Sequence, residues 1–268
     1  MIGLKRDQVA SAKRIVVKVG SSSISGENSD QITPLVDALA EAYGRGTEVV
    51  LISSGAVATG MPFLDLEERP NDVATQQAAA AVGQNVLIFR YQESLDRYEI
   101  AAGTVLLTEG DLLNEPHRSN TRRALNRLLD LRILPVVNEN DTVAVYGLRF
   151  GSNDRLAALV STLISADLLV MLSDVDALYT KPPHLPGSEK LDVIAADDPL
   201  TDFEFSSSGA TGVGTGGAST KVVAARLATN AGTAVLVTST ELAGAALRGE
   251  HVGTWFEPVE GEDERALL

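Results

Sequence analysis

Lys18 and Lys221 are the two residues whose surroundings most clearly call for a chemical partner. Lys18 stands in Val16-Val17-Lys18-Val19-Gly20-Ser21-Ser22-Ser23, inside an otherwise apolar run. An ammonium there either reaches water at a sheet edge or faces an anion, because a buried unpaired charge is costly. The residues that follow tilt the choice towards an anion. Glycine permits close backbone approach and successive N–H groups form an anion nest, so Lys18, Gly20 and Ser21 are candidate phosphate contacts. Lys221 closes a second stretch, Gly212-Val213-Gly214-Thr215-Gly216-Gly217-Ala218-Ser219-Thr220-Lys221, which feeds a helix expected over residues 219–230. The start of that helix offers N–H groups and the positive end of its dipole. Gly212, Gly214 and Gly217 have the G-x-G-x-x-G spacing, but no buried strand precedes them. A Walker A loop would place Ser or Thr after the lysine, whereas Ser219 and Thr220 come before it. The stretch therefore reads as a phosphate loop of another kind or as a flexible linker, and a linker has no reason to end in Ser-Thr-Lys and a helix.

Two further clusters, Asn138-Glu139-Asn140-Asp141 and Gly151-Ser152-Asn153-Asp154, combine amides with carboxylates. Such groups suit an amino acid: carboxylates accept from its ammonium and amides donate to its carboxylates. Turns and helix caps compete with that reading for each cluster taken alone, Asp154 being a possible cap. Ser53-Ser54-Gly55-Ala56 and Ser173-Asp174 supply hydroxyls and another carboxylate under the same two readings. His117, His184 and His251 lie in unrelated contexts without metal-ligand spacing or a serine to activate, and are expected to be solvated. No protein ligand to a metal is assigned. Arg118, Arg122, Arg123 and Arg127 form a basic helix face, expected at solvent or a subunit surface.

These groups need a frame. Short aliphatic runs at 15–19, 48–52, 102–107, 134–138, 168–172 and 234–237 alternate with helical patterns at 32–43, 75–98, 118–131 and 154–165. Nearly continuous apolar strands alternating with helices predict an α/β fold, a three-layer αβα sandwich with a mainly parallel central sheet. Ligands in such sheets gather beyond the carboxyl ends of the strands, and four of the polar clusters follow strands directly. Residues 180–218 are the least periodic stretch and read as loops or a lid over the site.

The chain has 268 residues, 44% of them hydrophobic and 22% charged, which fits one large globular domain over 1–257 followed by an acidic tail, 258–268, expected to be disordered. A net charge of −14 argues against nucleic acid or an anionic membrane as partner. Cysteine is absent, which excludes disulfides, thiolate chemistry and Cys-ligated zinc. The first apolar run, 15–19, is too short for a signal or a membrane span, so a cytoplasmic location is expected.

Taken together and in this order, Val17-Lys18-Val19-Gly20-Ser21-Ser22, Ser53-Ser54-Gly55-Ala56-Val57, Gln77-Ala78 through Ala81-Val82-Gly83-Gln84, Val137 to Asp141, Gly151 with Asn153-Asp154, and Gly214 to Gly217 through Ser219-Thr220-Lys221 resemble the amino-acid kinase family. The resemblance runs from about residue 14 to 256, and within the family it is to members that act on glutamate. It implies an amino-acid kinase domain using ATP and Mg2+ to phosphorylate the γ-carboxylate of L-glutamate, the first step of proline biosynthesis. It implies that Lys18 and Lys221 are catalytic and that Asp154 orients them. Ser54, Asp141 and Asn153, with Asn138 beside them, would hold glutamate. Lys18, Gly20, Ser21, Ser173, Asp174 and Thr215, Gly216, Gly217, Ala218, Ser219, Thr220, Lys221 would bind ATP. It further implies a homo-oligomer (dimer or tetramer), proline as feedback inhibitor and glutamyl phosphate reductase as partner. The chain departs from the family pattern at Ser173, where threonine is usual, at Ser152, often acidic, and at Gln76-Gln77, often Lys-Gln. Many relatives continue into a C-terminal PUA domain, and this chain is expected to be a form without one. Rival readings are another acceptor (acetylglutamate, aspartate, carbamate or a nucleoside monophosphate), an NAD-binding oxidoreductase using Gly212 to Gly217, and a nucleotide-binding regulator without turnover.

Overall fold

The computed structural model describes residues 3–144, 153–200 and 217–259. Its eight strands are β1 (Arg14–Val19), β2 (Glu48–Ile52), β3 (Ala102–Leu107), β4 (Leu134–Glu139), β5 (Leu168–Ser173), β6 (Val193–Ile194), β7 (Ala234–Ser239) and β8 (Thr254–Phe256). They form one sheet in the order β3-β4-β2-β1-β5-β7-β8-β6. From β3 to β7 all neighbours are parallel; β8 runs antiparallel to β7, and β6 is parallel to β8. The helices are α1 (Ile32–Gly44), α2 (Ala56–Gly60), α3 (Val73–Leu95), α4 (Glu109–Leu113), α5 (Glu115–Asp130), α6 (Asn153–Leu163), α7 (Ala218–Asn230) and α8 (Ala243–Arg248).

Side-chain alternation divides the core into two. Ile15, Val17, Leu51, Val136 and Val170 pack with Leu35 and Leu39 of α1, Leu87 and Tyr91 of α3, and Leu247 of α8. Val16, Val50, Val137, Leu169 and Met171 face the other way, against Leu125 of α5, Val160 of α6 and Ala224 of α7. Strands covered on both sides need apolar residues at every position, and β5 is buried throughout. The crossovers through α1 and α3 step the chain from β1 to β2 to β3 on the first face. Those through α5, α6 and α7 step it back past β1 to β5 and β7 on the second, as right-handed connections require. The reversal opens a crevice at the carboxyl ends of β1, β2 and β5.

The αβα sandwich and the six longer strands agree with the sequence reading. The short elements were not foreseen. Strands of two and three residues, β6 and β8, are too brief for periodicity and owe their place to pairing with each other and with β7. The helix expected over 75–98 begins at Val73, where the Asp72 side chain accepts from Thr75 N at 2.8 Å, and gives way to a 3-10 turn at Asp96–Tyr98. Part of the 180–218 stretch is anchored: Tyr179 bridges Lys190, and Arg226 donates to the carbonyls of Ala195, Ala196 and Asp198. Residues 201–216 lie outside the described residues. Packing extends past 257, since Pro258 is buried and Val259 N donates to Thr229 O at 3.0 Å; the expected acidic tail from 260 onward is outside the described residues.

Helices α2 and α3 cross at backbone contact. A Cβ added to Gly60 would lie 1.9 Å from Ala79 O, and one added to Gly83 would lie 1.8 Å from Ala56 O. Ala56 follows Ser54 and Gly55, so this crossing holds the loop after β2 against α3. Gly83→Ala must push the helices apart. Its expected cost is at the upper end of about 1–3 kcal/mol, read as a lowered melting temperature. Gly44→Ala, where an added Cβ meets nothing within 4 Å, is the control expected to melt with wild type.

Candidate active site

Lys18 lies on the same face of β1 as Val16 and so points to the layer of α6 and α7. Its Nζ is 2.6 Å from Asp154 Oδ1, and Lys221 Nζ is 3.6 Å from Asp154 Oδ2. Thr220 Oγ1 lies 3.0 Å from the same Oδ2 and 2.9 Å from Gly217 O. All three charged groups are withdrawn from water, with exposures of 4% for Lys18, 0% for Asp154 and 6% for Lys221. Burial by itself would push the Asp154 carboxyl up. The two ammonium groups, with hydrogen bonds from Lys18 and Thr220, outweigh that and hold it at about 2. Burial pushes the Lys221 ammonium down, the Lys18 charge adds to that, and Asp154 and Asp174 oppose it. Two cations share one anion, and a net positive centre is left beside the crevice.

The residue before Asp154 faces a different set of partners. Asn153 Nδ2 lies within donating distance of Ser53 O (2.7 Å), Ser54 Oγ (2.9 Å) and Asn138 Oδ1 (2.9 Å). Asn138, expected beside the substrate, is 2% exposed and has its amide engaged at both ends: Nδ2 donates to Gln84 Oε1 at 2.9 Å, and Oδ1 also accepts from Glu139 N at 2.9 Å. Ser53 N donates to Val137 O at 2.8 Å, and Ser53 Oγ is 3.1 Å from the hydroxyl of Tyr91, a fully buried residue whose phenol is pushed up by burial. Gly55, at φ +89°, turns the chain from this net into α2 in a conformation suited to glycine. Next to it is a cleft of about 360 Å³ lined by Gln84, Glu139, Asn140, Asp141 and Thr142 over Ala56, Ala80 and Ile88.

The structure thus brings Lys18, Asp154 and Lys221 into one cluster and Ser54, Asn138 and Asn153 into another, with Asp141 in the adjoining cleft. Gly20 and Ser21 follow β1, and Ser21 Cα would meet a Cβ on Gly55 at 3.5 Å, so the loops after β1 and β2 touch. Ser173 is buried at the end of β5, its hydroxyl donating to Asp174 Oδ1 at 3.0 Å, and Asp174 is exposed. The hydroxyl common to Ser173 and the usual threonine is therefore in use. Gly217 is the N-cap of α7, with Ala218, Ser219 and Thr220 in its first turn. Thr215, Gly216, Gly151 and Ser152 lie outside the described residues. Sequence reasoning gives Gln84 and Tyr91 no role of their own. Gln84 fell within a family motif, and Tyr91 carried no local signal.

The chain matches the amino acid kinase family over residues 13–239. It is 68% identical over 255 residues to a glutamate 5-kinase of Leifsonia xyli, covering 95% of this chain and 94% of that one. A glutamate 5-kinase of Clavibacter michiganensis is 67% identical over 253 residues, with 94% and 97% covered. One from Thermobifida fusca is 50% identical over 263 residues, 97% of this chain but 68% of that longer one. Among solved structures, a carbamate kinase from Giardia lamblia bound to AMP-PNP superposes with a TM-score of 0.65 at 16% identity, covering 93% of this chain and all of that one, a likeness of fold.

Proposed function

This chain belongs to the amino acid kinase family, and from that premise we propose that the two nets meeting at Asn153 and Asp154 are the active site in which ATP phosphorylates the γ-carboxylate of glutamate. The activity is ATP-dependent glutamate phosphorylation, the opening step of proline biosynthesis. The observation that carries the residue assignment is that neighbouring residues at the start of α6 reach opposite partners. Asn153 goes to the ends of β2 and β4, and Asp154 goes to the lysines of β1 and α7. A rigid helix end therefore fixes the distance between acceptor and donor groups.

A carboxylate is ionised at neutral pH and attacks phosphorus without a general base. Ser54, Asn153 and Asp141 hold glutamate in this reading, with Asp141 taking the ammonium. Lys18 and Lys221 hold the transferred phosphoryl oxygens and relieve their charge, and Asp154 keeps the two cations apart from solvent and in place. Gly20, Ser21, Ser173, Asp174 and the loop from Thr215 through Lys221 hold ATP. Mg2+ enters as part of the Mg·ATP substrate. Asp154 does not suit it, since both carboxylate oxygens are engaged by lysines and Thr220, whereas exposed Asp174 is a carboxylate of the kind Mg2+ takes singly.

The test is ADP release with glutamate, aspartate, acetylglutamate and UMP in parallel, with hydroxylamine added to trap an acyl phosphate. Glutamate alone should give the γ-hydroxamate, and turnover with another acceptor instead would overturn the assignment. Asp141→Ala should raise the KM for glutamate by about ten- to a hundredfold, the loss of a charged hydrogen bond, with kcat changed far less. An unchanged KM would remove Asp141 from the substrate site.

Resemblance supports the remaining parts of the proposal. The kinase domain spans residues 1–257, with Pro258 and Val259 still packed against it before the acidic stretch. Proline is a feedback inhibitor, glutamyl phosphate reductase takes the product, and the location is cytoplasmic. Among the described residues no helix is long and apolar enough to cross a membrane. Exposed Phe63 and Phe89 support self-association into a dimer or tetramer, which light scattering would read.

A further inference from the structure

Helix α3 touches the glutamate side of the site at two points seven residues apart, hence two turns along one face. We propose that Gln84 and Tyr91 are positioning residues for glutamate: Gln84 sets the orientation of the Asn138 amide, Tyr91 locks Ser53, and through them both aim Asn153 and Ser54. This rests on the reading above that Ser54 and Asn153 bind the acceptor.

Asn138 must present its oxygen to Asn153, because Asn153 presents an NH2 group there; a flipped Asn138 would set NH2 against NH2. Contacts at both ends of the Asn138 amide decide which way it lies. Its Nδ2 has Gln84 Oε1 as acceptor at 2.9 Å, and its Oδ1 has Glu139 N as a second donor at 2.9 Å. With Asn138 so fixed, Asn153 Nδ2 shares its two hydrogens among Asn138 Oδ1, Ser53 O and Ser54 Oγ. Ser54 Oγ then accepts from Asn153 and keeps its own hydrogen to donate, which is what a substrate carboxylate needs.

Tyr91 acts one residue away. Its phenol, protonated in its buried setting, meets Ser53 Oγ, while Ser53 N and Ser53 O are engaged by Val137 and Asn153. All polar groups of Ser53 are thus committed, and the turn that carries Ser54 cannot rotate about it. The α2–α3 crossing at Gly60 and Gly83 holds the same loop from its far end. Gln84 and Tyr91 contact Asn138 and Ser53, on the glutamate side of the net, so their effect should fall on glutamate and spare ATP.

The experiment is steady-state kinetics on Tyr91→Phe, Gln84→Leu and Ser53→Ala, with Tyr91→Phe also made in the Ser53→Ala background, each alongside a thermal melt. Tyr91→Phe should raise the KM for glutamate about fivefold and Gln84→Leu about tenfold, with the KM for ATP within about twofold of wild type. In the Ser53→Ala background Tyr91→Phe should add less than about twofold, the non-additivity of groups acting as one unit. Should Gln84→Leu fail to fold, the Tyr91 pair decides alone. The proposal is overturned by an unchanged glutamate KM in Tyr91→Phe, by KM values for glutamate and ATP rising in step, or by an equal Tyr91→Phe effect with and without Ser53. Wild-type turnover in the same assay decides the underlying reading separately: silence with glutamate would remove both, whereas normal turnover with unmoved variants would remove only this one.

Discussion

Replacing Lys18 or Lys221 by alanine is expected to lower kcat by about 10²- to 10³-fold while leaving the KM for glutamate nearly unchanged. Phosphoryl transfer gives the protein little covalent work; what it supplies is placement and relief of charge on the moving group. Both ammonium groups are almost wholly removed from water, and there a preorganised cation is worth far more than at a surface. Removing a single such donor typically costs the factor given. In the proposed reading glutamate is held by a separate net on β2, β4 and α6, so its binding should be spared, and a fall in kcat without a rise in KM is the signature of a contact made in the transition state. Arginine is not expected to replace either lysine. Its planar fork cannot occupy the 2.6 Å point contact of Lys18 with Asp154 in the same way. Wild-type kcat in both alanine variants would end the assignment, and a selective rise in the KM for ATP would move these lysines from catalysis to nucleotide binding.

The frame of this site was legible because its signals are local. Lys18 stood out as a charge in an apolar strand, and the Gly-rich stretch before Lys221 as a loop feeding a helix. That these two lysines share Asp154 was not legible from spacing, since contacts among residues 18, 154 and 221 depend on the crossover order of the sheet; only the family resemblance carried it. Asn138 suits a substrate contact by its amide, and what residue type alone does not reveal is that it also links Gln84 and Asn153. Tyr91 gave no signal because its partner, Ser53, is remote in sequence and its ring reads as ordinary core. That Gly60 and Gly83 must lack Cβ atoms is visible only in the crossing of α2 over α3.

Asp154→Ala is expected to lose turnover as the lysine variants do and, unlike a typical surface change, to destabilise the fold by about 3–5 kcal/mol. The aspartate is fully buried between two cations, and deleting it leaves Lys18 and Lys221 withdrawn from water, repelling each other, with Asp174 as the remaining carboxylate that acts on Lys221. For a chain of this size that corresponds to a fall in melting temperature of about 10 °C at neutral pH. The acid side gives a sign that can be checked. The Asp154 carboxyl titrates at about 2 in the fold against an ordinary 3.8, so its charged form contributes stability above about pH 4 that is lost as pH falls towards 2. Wild type should therefore lose part of its advantage over Asp154→Ala across that window. On the alkaline side the Lys221 ammonium is already pushed down by burial and by Lys18, and loss of the opposing carboxylate pushes it further. A base whose folded titration point is lowered gains stability as pH rises through it, so the variant should recover relative to wild type as pH rises towards the ordinary lysine value of 10.5. Adding Lys18→Met to Asp154→Ala should restore part of the melting temperature, because one unpaired cation is removed, and none of the turnover. A single variant that melts within about 2 °C of wild type at pH 7 would mean that the lysines do not depend on Asp154 for their burial, and with that the role assigned to it would fall.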